Sequence, residues 1–418
     1  MRTDCDVAIV GAGPAGATAA RRLALAGARV RLFDRATFPR NKPCGGAISI
    51  RALRRFPHLA EPLKTIDTRL ISRLHLESPN GGRVELQSDA PAALMIRRIE
   101  FDAMLVRLAR EAGAEVVAGA EIVQAERTGN GIRLSTRQGQ AIVAPQVVAA
   151  DGANSVVARR LGFNSGWPAS HVALDMMEET PFDALRCTDP DLLWVAYGYK
   201  QSHGYAYVFP KKNHVNVGIG YVLDHFKKTI DAPPYDLQRG FVGALCSEGV
   251  LDGGSDRSRF TPALIPVGGP LPRTADDRVI LAGDAGGFVN GFSAEGIYYA
   301  MVTGDLAAGA LASGRARGYI KSWGREIGAE LRDSVRVQRF LFRHPSRIDG
   351  LVDGARRHPA LALKIVEYAM GRRSYASARR ALLLRFPQVA FRLAFAASDG
   401  RSLWDNQPSP SGHLAPRL

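Results

Sequence analysis

The chain has 418 residues, 46% hydrophobic and 23% charged, with a mean hydropathy of -0.09, a balance that excludes a disordered chain and allows a sizeable core. Its four cysteines, Cys5, Cys44, Cys187 and Cys246, are too few and scattered for a disulfide framework and lack zinc spacing, so no metal is expected and a reducing cytoplasm is the expected compartment. The formal charge of +15 is concentrated at one end, with 20 Lys and Arg against 8 Asp and Glu from Arg315 to Leu418.

The first predicted element is a short apolar strand, Val7 to Gly11. Its early start leaves no room for a signal peptide, and no uninterrupted apolar run of 18 residues occurs, so neither secretion nor a membrane-spanning helix is expected. A helix from about Pro14 to Ala26 and a strand from Val30 to Asp34 complete a βαβ opening, its first strand apolar on both faces as parallel strands usually are. Leu70 to about Gln87 alternates like a half-buried antiparallel sheet, with a turn at Pro79-Asn80-Gly81-Gly82. A helix over Glu100 to Ala112, short strands from Glu115 to Arg137 and a strand from Gln146 to Ala150 follow. Further strands are predicted at His171 to Met177, Leu192 to Tyr197, Tyr205 to Phe209, Val215 to Tyr221 and Arg278 to Ala282, then a long helix from about Ala294 to Ala312. The remainder reads as helical up to a Pro-, Ser- and Gly-bearing tail.

Gly11-Ala12-Gly13-Pro14-Ala15-Gly16 matches G-x-G-x-x-G between a predicted strand and a predicted helix. Gly11 allows the tight turn, Gly13 lets a pyrophosphate approach the backbone, and Gly16 lets helix and strand pack closely. Pro14 starts the helix, and the N–H groups that follow it, from Ala15 on, then face the phosphates. Asp34, followed by Arg35, closes the second strand 18 residues after Gly16, close to the spacing at which an acid binds ribose hydroxyls. A dinucleotide, FAD or NAD, is expected.

Three later stretches resemble flavoproteins with the p-hydroxybenzoate hydroxylase fold. Arg98-Ile99-Glu100-Phe101-Asp102-Ala103-Met104-Leu105 is similar to their R-x-x-F-D-x-x-L stretch, whose arginine lies against the flavin cofactor. Asp151-Gly152-Ala153-Asn154-Ser155 resembles their D-G-x-x-S-x-x-R motif, with Ala158 in the arginine position. Gly283-Asp284, followed by Gly291 and Gly296-Ile297, resembles the segment holding the ribityl and pyrophosphate portion of FAD. There Asp284 would accept from ribityl hydroxyls, and a helix starting near Ser293 would aim its positive end at the flavin pyrimidine ring.

A narrower resemblance is to the geranylgeranyl reductase family. Lys42-Pro43-Cys44-Gly45-Gly46-Ala47 is similar to its K-x-C-G-G-G/A segment, and Tyr205-Ala206-Tyr207-Val208-Phe209-Pro210, then seven residues, then Gly218-Ile219-Gly220, to its aromatic-x-W-x-F-P motif, with Tyr207 in the tryptophan position. The resemblance places Cys44 beside the flavin ring as a candidate proton donor. Tyr205, Tyr207 and Phe209 share one face of a strand, a surface suited to an isoprenoid chain because apolar burial is worth about 0.8 kcal/mol per methylene.

The implied fold is α/β. An FAD-binding Rossmann-like unit (1–70, 95–165 and 270–315) is interleaved with an antiparallel-sheet substrate unit (71–94 and 166–269), followed by a basic helical region (316–405) and a flexible tail (406–418). The implied activity is hydrogenation of prenyl double bonds by reduced FAD, with NAD(P)H or ferredoxin as external reductant and a prenyl lipid, quinone or pigment as substrate. An aromatic or polyketide monooxygenase of the same fold is the alternative. Arg372, Arg373, Arg379, Arg380, Arg385 and Arg392 interleave with Leu382, Phe386, Phe391 and Phe395, a basic amphipathic pattern expected to lie on the anionic inner face of a membrane. No nucleic-acid motif accompanies the charge.

Overall fold

The structure is a computed structural model and describes residues 4–199, 204–358 and 362. The chain opens with β1 (Val7–Val10), α1 (Pro14–Leu25) and β2 (Val30–Asp34). Next come β3 (Ala47–Ser49), α2 (Arg51–Arg55), β4 (Thr68–Ile71), β5 (Arg73–Glu77), β6 (Arg83–Gln87) and β7 (Ala93–Ile96). Then α3 (Arg98–Glu111) leads to β8 (Glu115–Ala118), β9 (Ile122–Thr128), β10 (Gly131–Thr136), β11 (Ala141–Ala144), β12 (Gln146–Ala149) and α4 (Val156–Arg160). They are followed by β13 (Ala173–Pro181), β14 (Leu185–Cys187), β15 (Leu192–Tyr197), β16 (Gly204–Pro210), β17 (His214–Val222), α5 (Leu223–Thr229) and α6 (Pro234–Ser247). Finally β18 (Leu251–Gly253), β19 (Phe260–Ile265) and β20 (Val279–Leu281) precede α7 (Ile297–Ala312), α8 (Gly318–Trp323), α9 (Ala329–Phe342) and α10 (Pro345–Arg357).

A parallel sheet runs in the order β20-β12-β1-β2-β8. Val7, Ile9 and Leu32 pack with α1, α3 and α7, while Ala8, Val10 and Phe33 pack with β9 to β11 and α4. Both faces are covered, which is why these strands read as continuous apolar runs. Across the first face α7 lies directly on α1, so closely that a Cβ on Gly304 would sit 2.1 Å from the Ala15 carbonyl oxygen.

The second large sheet runs β19-β13-β17-β16-β15-β5-β6. Its pleat separates two environments. Met176, Val208, Val217, Ile219 and Trp194 enter a core closed by Phe241 and Leu245 of α6, leaving Asp175, Met177, Tyr205, Tyr207, Phe209, Gly218 and Gly220 on the other face. Cross-strand register sets Tyr207 opposite Gly218 and Gly218 opposite Met177; Tyr205, Gly220 and Asp175 form the next row.

Two expectations need correction. The alternating run from Leu70 divides between two sheets, because the chain changes partners at Ser72: Ile71 pairs with Ala93, whereas Arg73 pairs with Gln87 and Leu192. The helix expected from Ala294, with its start near Ser293, begins instead at Ile297. Asn290 Oδ1 accepts from the N–H groups of Phe292 and Ser293 at 3.0 Å each, and Ala294 has φ 55°, so a turn occupies those residues.

In the C-terminal part, α10 packs onto β6 through Val352, Val84 and Leu86. The basic stretch from Arg372 to Phe395 and the tail 406–418 lie outside the described residues. Among the described residues no helix is long and apolar enough to cross a membrane.

Candidate functional site

At the β1–α1 turn the three motif glycines answer to different demands. Gly11 has φ +96°, and a Cβ there would lie 2.3 Å from the Ala150 oxygen; a Cβ on Gly16 would lie 1.8 Å from the Gly11 oxygen. Both are required by backbone packed on backbone. Gly13 is extended, with φ -73° and ψ -173°. The nearest atoms to a Cβ there are Nη2 of Arg40 at 3.9 Å and of Arg98 at 4.0 Å, so the protein itself does not demand glycine at this point. No side chain caps α1, which leaves the first amides beyond Pro14, including that of Ala15, facing the same space.

Asp34 is buried and accepts from the Ala12 N–H at 2.7 Å and the Ala36 N–H at 2.9 Å. It ties the glycine turn to the end of β2 and keeps lone pairs for a further donor. Arg35 is exposed. Asp102 is 0% exposed and accepts from Arg98 Nε and Nη2, both at 2.7 Å, and from Arg40 Nη1 at 2.8 Å. One carboxylate thus holds two guanidinium groups beside Gly13, a net cation where a pyrophosphate would lie. The Arg98 guanidinium also lies close enough to Cys44 for the two to interact electrostatically. Sequence reasoning pointed to Arg98 but missed Arg40, which stands in the irregular stretch after β2 with no local motif to mark it.

The later segments converge on the same space. Gly283, φ +60°, packs against α1 and α7, where a Cβ would lie 3.1 Å from that of Ala15, and its N–H donates to Thr303 Oγ1 at 2.9 Å. The Asp284 carboxylate has no hydrogen-bond partner among the described residues, and Gly296, the residue before α7, has only Asp284 Oδ1, at 3.5 Å, and Val289 near its would-be Cβ. Ile297 is buried at the head of α7. Two expected contact residues turn elsewhere. Asp151 accepts from Ser155 Oγ at 2.5 Å and from the Val156 N–H at 2.7 Å, anchoring the start of α4 while Gly152 takes φ +81°. Gly291 donates its N–H to Ser334 Oγ at 2.8 Å, and a Cβ there would meet the Val267 oxygen at 2.9 Å.

Open space over Gly13 and Gly296, uncapped amides, a net cation and an unpartnered carboxylate together fit a dinucleotide bearing a polyol.

The other wall is aromatic. The rings of Tyr205 and Tyr207 are 5.7 Å apart and those of Tyr207 and Phe209 4.5 Å; Tyr197 stacks on Phe292 at 4.7 Å and reaches Tyr205 at 5.8 Å. Pro210 ends the strand. Gly218 makes room for Tyr207, whose ring would lie within 2.5 Å of a Cβ. Gly45 does the same for the Phe209 ring, at 2.7 Å, and Gly46, φ +76°, passes against the Ile96 oxygen. Ala47 then opens β3. The Cys44-Gly45-Gly46 stretch is therefore seated on the aromatic strand, and Cys44 Sγ accepts from the Gly46 N–H at 3.3 Å. Lys211, 1% exposed, pairs with Glu179 and donates to the Cys44 oxygen at 3.4 Å. Burial opposes the Glu179 charge, yet Lys211 and Arg97 hold its carboxyl below the usual range.

Asp175 was not singled out from sequence, although an acid between apolar neighbours in a strand was a legible signal. It is 4% exposed and lies 3.3 Å from the Tyr207 hydroxyl. Burial pushes its carboxyl up to about 7, against the opposing influence of the Tyr207 hydrogen bond and Lys42. A cleft beside it is lined by Tyr205, Gly220, Phe292 and Gln338.

A last buried network joins α2 to the segment before α7. Arg51 Nη1 donates to Glu330 at 2.8 Å and Nη2 to the Tyr299 hydroxyl at 2.8 Å, while Nη2 lies 3.4 Å from Glu295. Tyr299 donates to Glu330 at 2.7 Å, and the guanidinium lies 3.9 Å over the Tyr298 ring.

Known proteins resemble this chain over most of its length. Residues 4–312 match the family described as FAD binding domain. Menaquinone reductase of Mycolicibacterium smegmatis is 31% identical over 77% of this chain and 80% of its own. Digeranylgeranylglycerophospholipid reductase 1 of Methanothermobacter thermautotrophicus is 30% identical over 82% of this chain and 87% of its own. The crystal structure of a geranylgeranyl bacteriochlorophyll reductase-like protein from Thermoplasma acidophilum superposes with a TM-score of 0.75 at 20% identity, covering 93% of this chain and 98% of that one. The chain belongs to the FAD-binding family, within its geranylgeranyl reductase branch, and is an FAD-dependent oxidoreductase.

Proposed function

We propose that the protein hydrogenates carbon–carbon double bonds in the prenyl chain of a membrane lipid or lipid quinone. The observation that carries the reading is the seating of the Cys44-Gly45-Gly46 stretch on the Tyr205–Tyr207–Phe209 row. It brings an apolar face able to hold an isoprenoid beside the segment expected at the flavin ring. The names of the two relatives, one acting on a quinone and one on a prenylated phospholipid, support the same substrate class.

In this reading Gly13, Pro14, Ala15, Arg40 and Arg98 hold the pyrophosphate, with Gly11 and Gly16 shaping the turn. Asp34 and Arg35 face the adenosine end, Asp284 the ribityl hydroxyls, and Gly296 with Ile297 the pyrimidine edge. Bound FAD, once reduced by NAD(P)H or ferredoxin, supplies the hydride. The chain's own residues orient the alkene along the aromatic row, exclude water with Phe292 and Tyr197, and hold the proton that completes the product. Anaerobic incubation of photoreduced protein with geranylgeranyl lipids is expected to add pairs of hydrogens by mass; oxygen-dependent hydroxylation in place of hydrogenation would reject the reading for a monooxygenase.

Cys44 is assigned to contact with the flavin ring rather than to proton donation. Its sulfur already accepts from the Gly46 N–H, and the Arg98 charge acts on it from nearby. Cys44→Ala is expected to retain FAD, read by absorbance of purified protein, and to lose no more than about tenfold in turnover, short of the 10²–10⁴-fold that general acid catalysis contributes; loss to background with FAD retained would make the thiol the acid.

The basic stretch from Arg372 to Phe395 is proposed to hold the enzyme on anionic lipid, where an apolar substrate is reached without crossing water. Full-length protein is expected to cosediment with anionic liposomes in low salt and not with neutral ones. Equal recovery with both would remove this element.

A further inference from the structure

The geometry points to Asp175, coupled to the Tyr207 hydroxyl, as the acid that protonates the substrate alkene. This assignment rests on the prenyl-reductase reading above. The hydride adds to one carbon of the double bond and the Asp175 proton to the other. Two C–H bonds form, the π bond is consumed, the flavin is left oxidised, and the Asp175 carboxylate recovers its proton from water.

Three observations support it. Asp175 occupies the same sheet face as Tyr205, Tyr207 and Phe209, in a single cross-strand row with Gly220 and Tyr205. Gly220, with nothing nearer than Asp175 Oδ1 at 3.7 Å to a would-be Cβ, leaves the carboxyl open to the cleft. Among the described residues Asp175 is the one carboxylate lining the cleft. The groups facing Asp175 are the Tyr207 hydroxyl on β16 and the Lys42 ammonium from the loop after β2, with Tyr205 and Cys44 beyond them. From β17, β19, the loop before α7 and α9 the cleft receives Gly220, Ile265, Phe292 and Gln338, none of them charged. A carboxyl so placed resists ionisation, and its pKa near 7 keeps the acid form available at neutral pH. Tyr207 stands where the family resemblance places tryptophan, a side chain with no hydroxyl to pair with a carboxyl.

The sign of the pH effect follows. The folded pKa of about 7 lies above the ordinary value of 3.8, so the stability Asp175 contributes is complete below that value and is lost as pH rises through 7. Activity should decline over the same upper limb.

The test uses FAD-loaded protein and the variants Asp175→Asn and Tyr207→Phe. Infrared spectra of the wild type are expected to show a protonated-carboxyl band that titrates near pH 7 and is missing from Asp175→Asn. Asp175→Asn is expected to keep its flavin and lose at least about 100-fold in turnover. In Tyr207→Phe the hydrogen bond favouring the carboxylate is gone, so the band and the alkaline limb of the activity profile should both move to higher pH. Wild-type turnover matched within threefold by Asp175→Asn, or a carboxyl already ionised at pH 5, would overturn the Asp175 assignment and leave the enzyme a prenyl reductase. A wild-type protein that shows the titration and reduces no prenyl chain would remove the functional reading itself, and the proton donor with it.

Discussion

Gly13→Ala protein is expected to fold as the parent does and to bind FAD roughly 100-fold more weakly, a loss of about 2.7 kcal/mol. The reasoning is that the backbone at Gly13 is extended, any residue adopts it, and a methyl would find no protein atom closer than 3.9 Å. Only a ligand approaching the backbone would meet it. Gly16→Ala should behave in the opposite sense, because its methyl would be driven into the Gly11 carbonyl oxygen at 1.8 Å with backbone on both sides. That variant is expected to lose at least about 3 kcal/mol of stability before any ligand is considered. Thermal unfolding of the apoproteins and flavin-fluorescence titration separate the two effects. Wild-type affinity in Gly13→Ala would mean that nothing approaches the backbone there.

Arg51→Met is expected to cost about 3–5 kcal/mol at pH 8, the usual penalty for removing one partner from a buried ionic network. Its side chain is 12% exposed, against 10% for Glu295 and 8% for Glu330, so the substitution leaves two neighbouring carboxylates with no cation between them. Burial already raises the Glu295 carboxyl above its usual range even with Arg51 in place. A group raised on folding adds stability at low pH that is lost as pH rises through its folded pKa. The deficit of Arg51→Met should therefore shrink on acidification, and adding Glu330→Gln should recover part of it. Denaturant unfolding at pH 5 and pH 8 would test this; a pH-independent loss would mean that packing over Tyr298 and not charge holds the network.

The parallel sheet was legible in sequence because burial on both faces writes itself as short apolar runs, and β2 emerged at Val30–Asp34 as expected. The start of α7 was not, because Asn290 and Ala294 build a turn from contacts that local pattern does not encode. The roles of Gly11, Gly13 and Gly16 were read from their motif, whereas Gly218, Gly220 and Gly291 were visible as spacing only. Their meanings separate in three dimensions: Gly218 makes room for the Tyr207 ring and Gly291 for α9, whereas Gly13, Gly220 and Gly296 leave space open. Asp175 was legible and overlooked, whereas Arg40 and Glu330 escaped notice for a common reason. Each acquires its setting from elements distant in sequence, 62 residues away for Arg40 and Asp102 and 279 for Arg51 and Glu330.

The contacts that α8 and α9 make with β20, α2 and the loop before α7 have a practical consequence for dissection. The family match ends at residue 312, yet Tyr319 donates to the Leu281 oxygen, Ser334 receives the Gly291 amide and Glu330 completes the Arg51 cluster. A fragment truncated at that boundary would bare an apolar seam and strand a guanidinium. The nucleotide-binding half is thus no autonomous module, and the helices that follow it are its buttress.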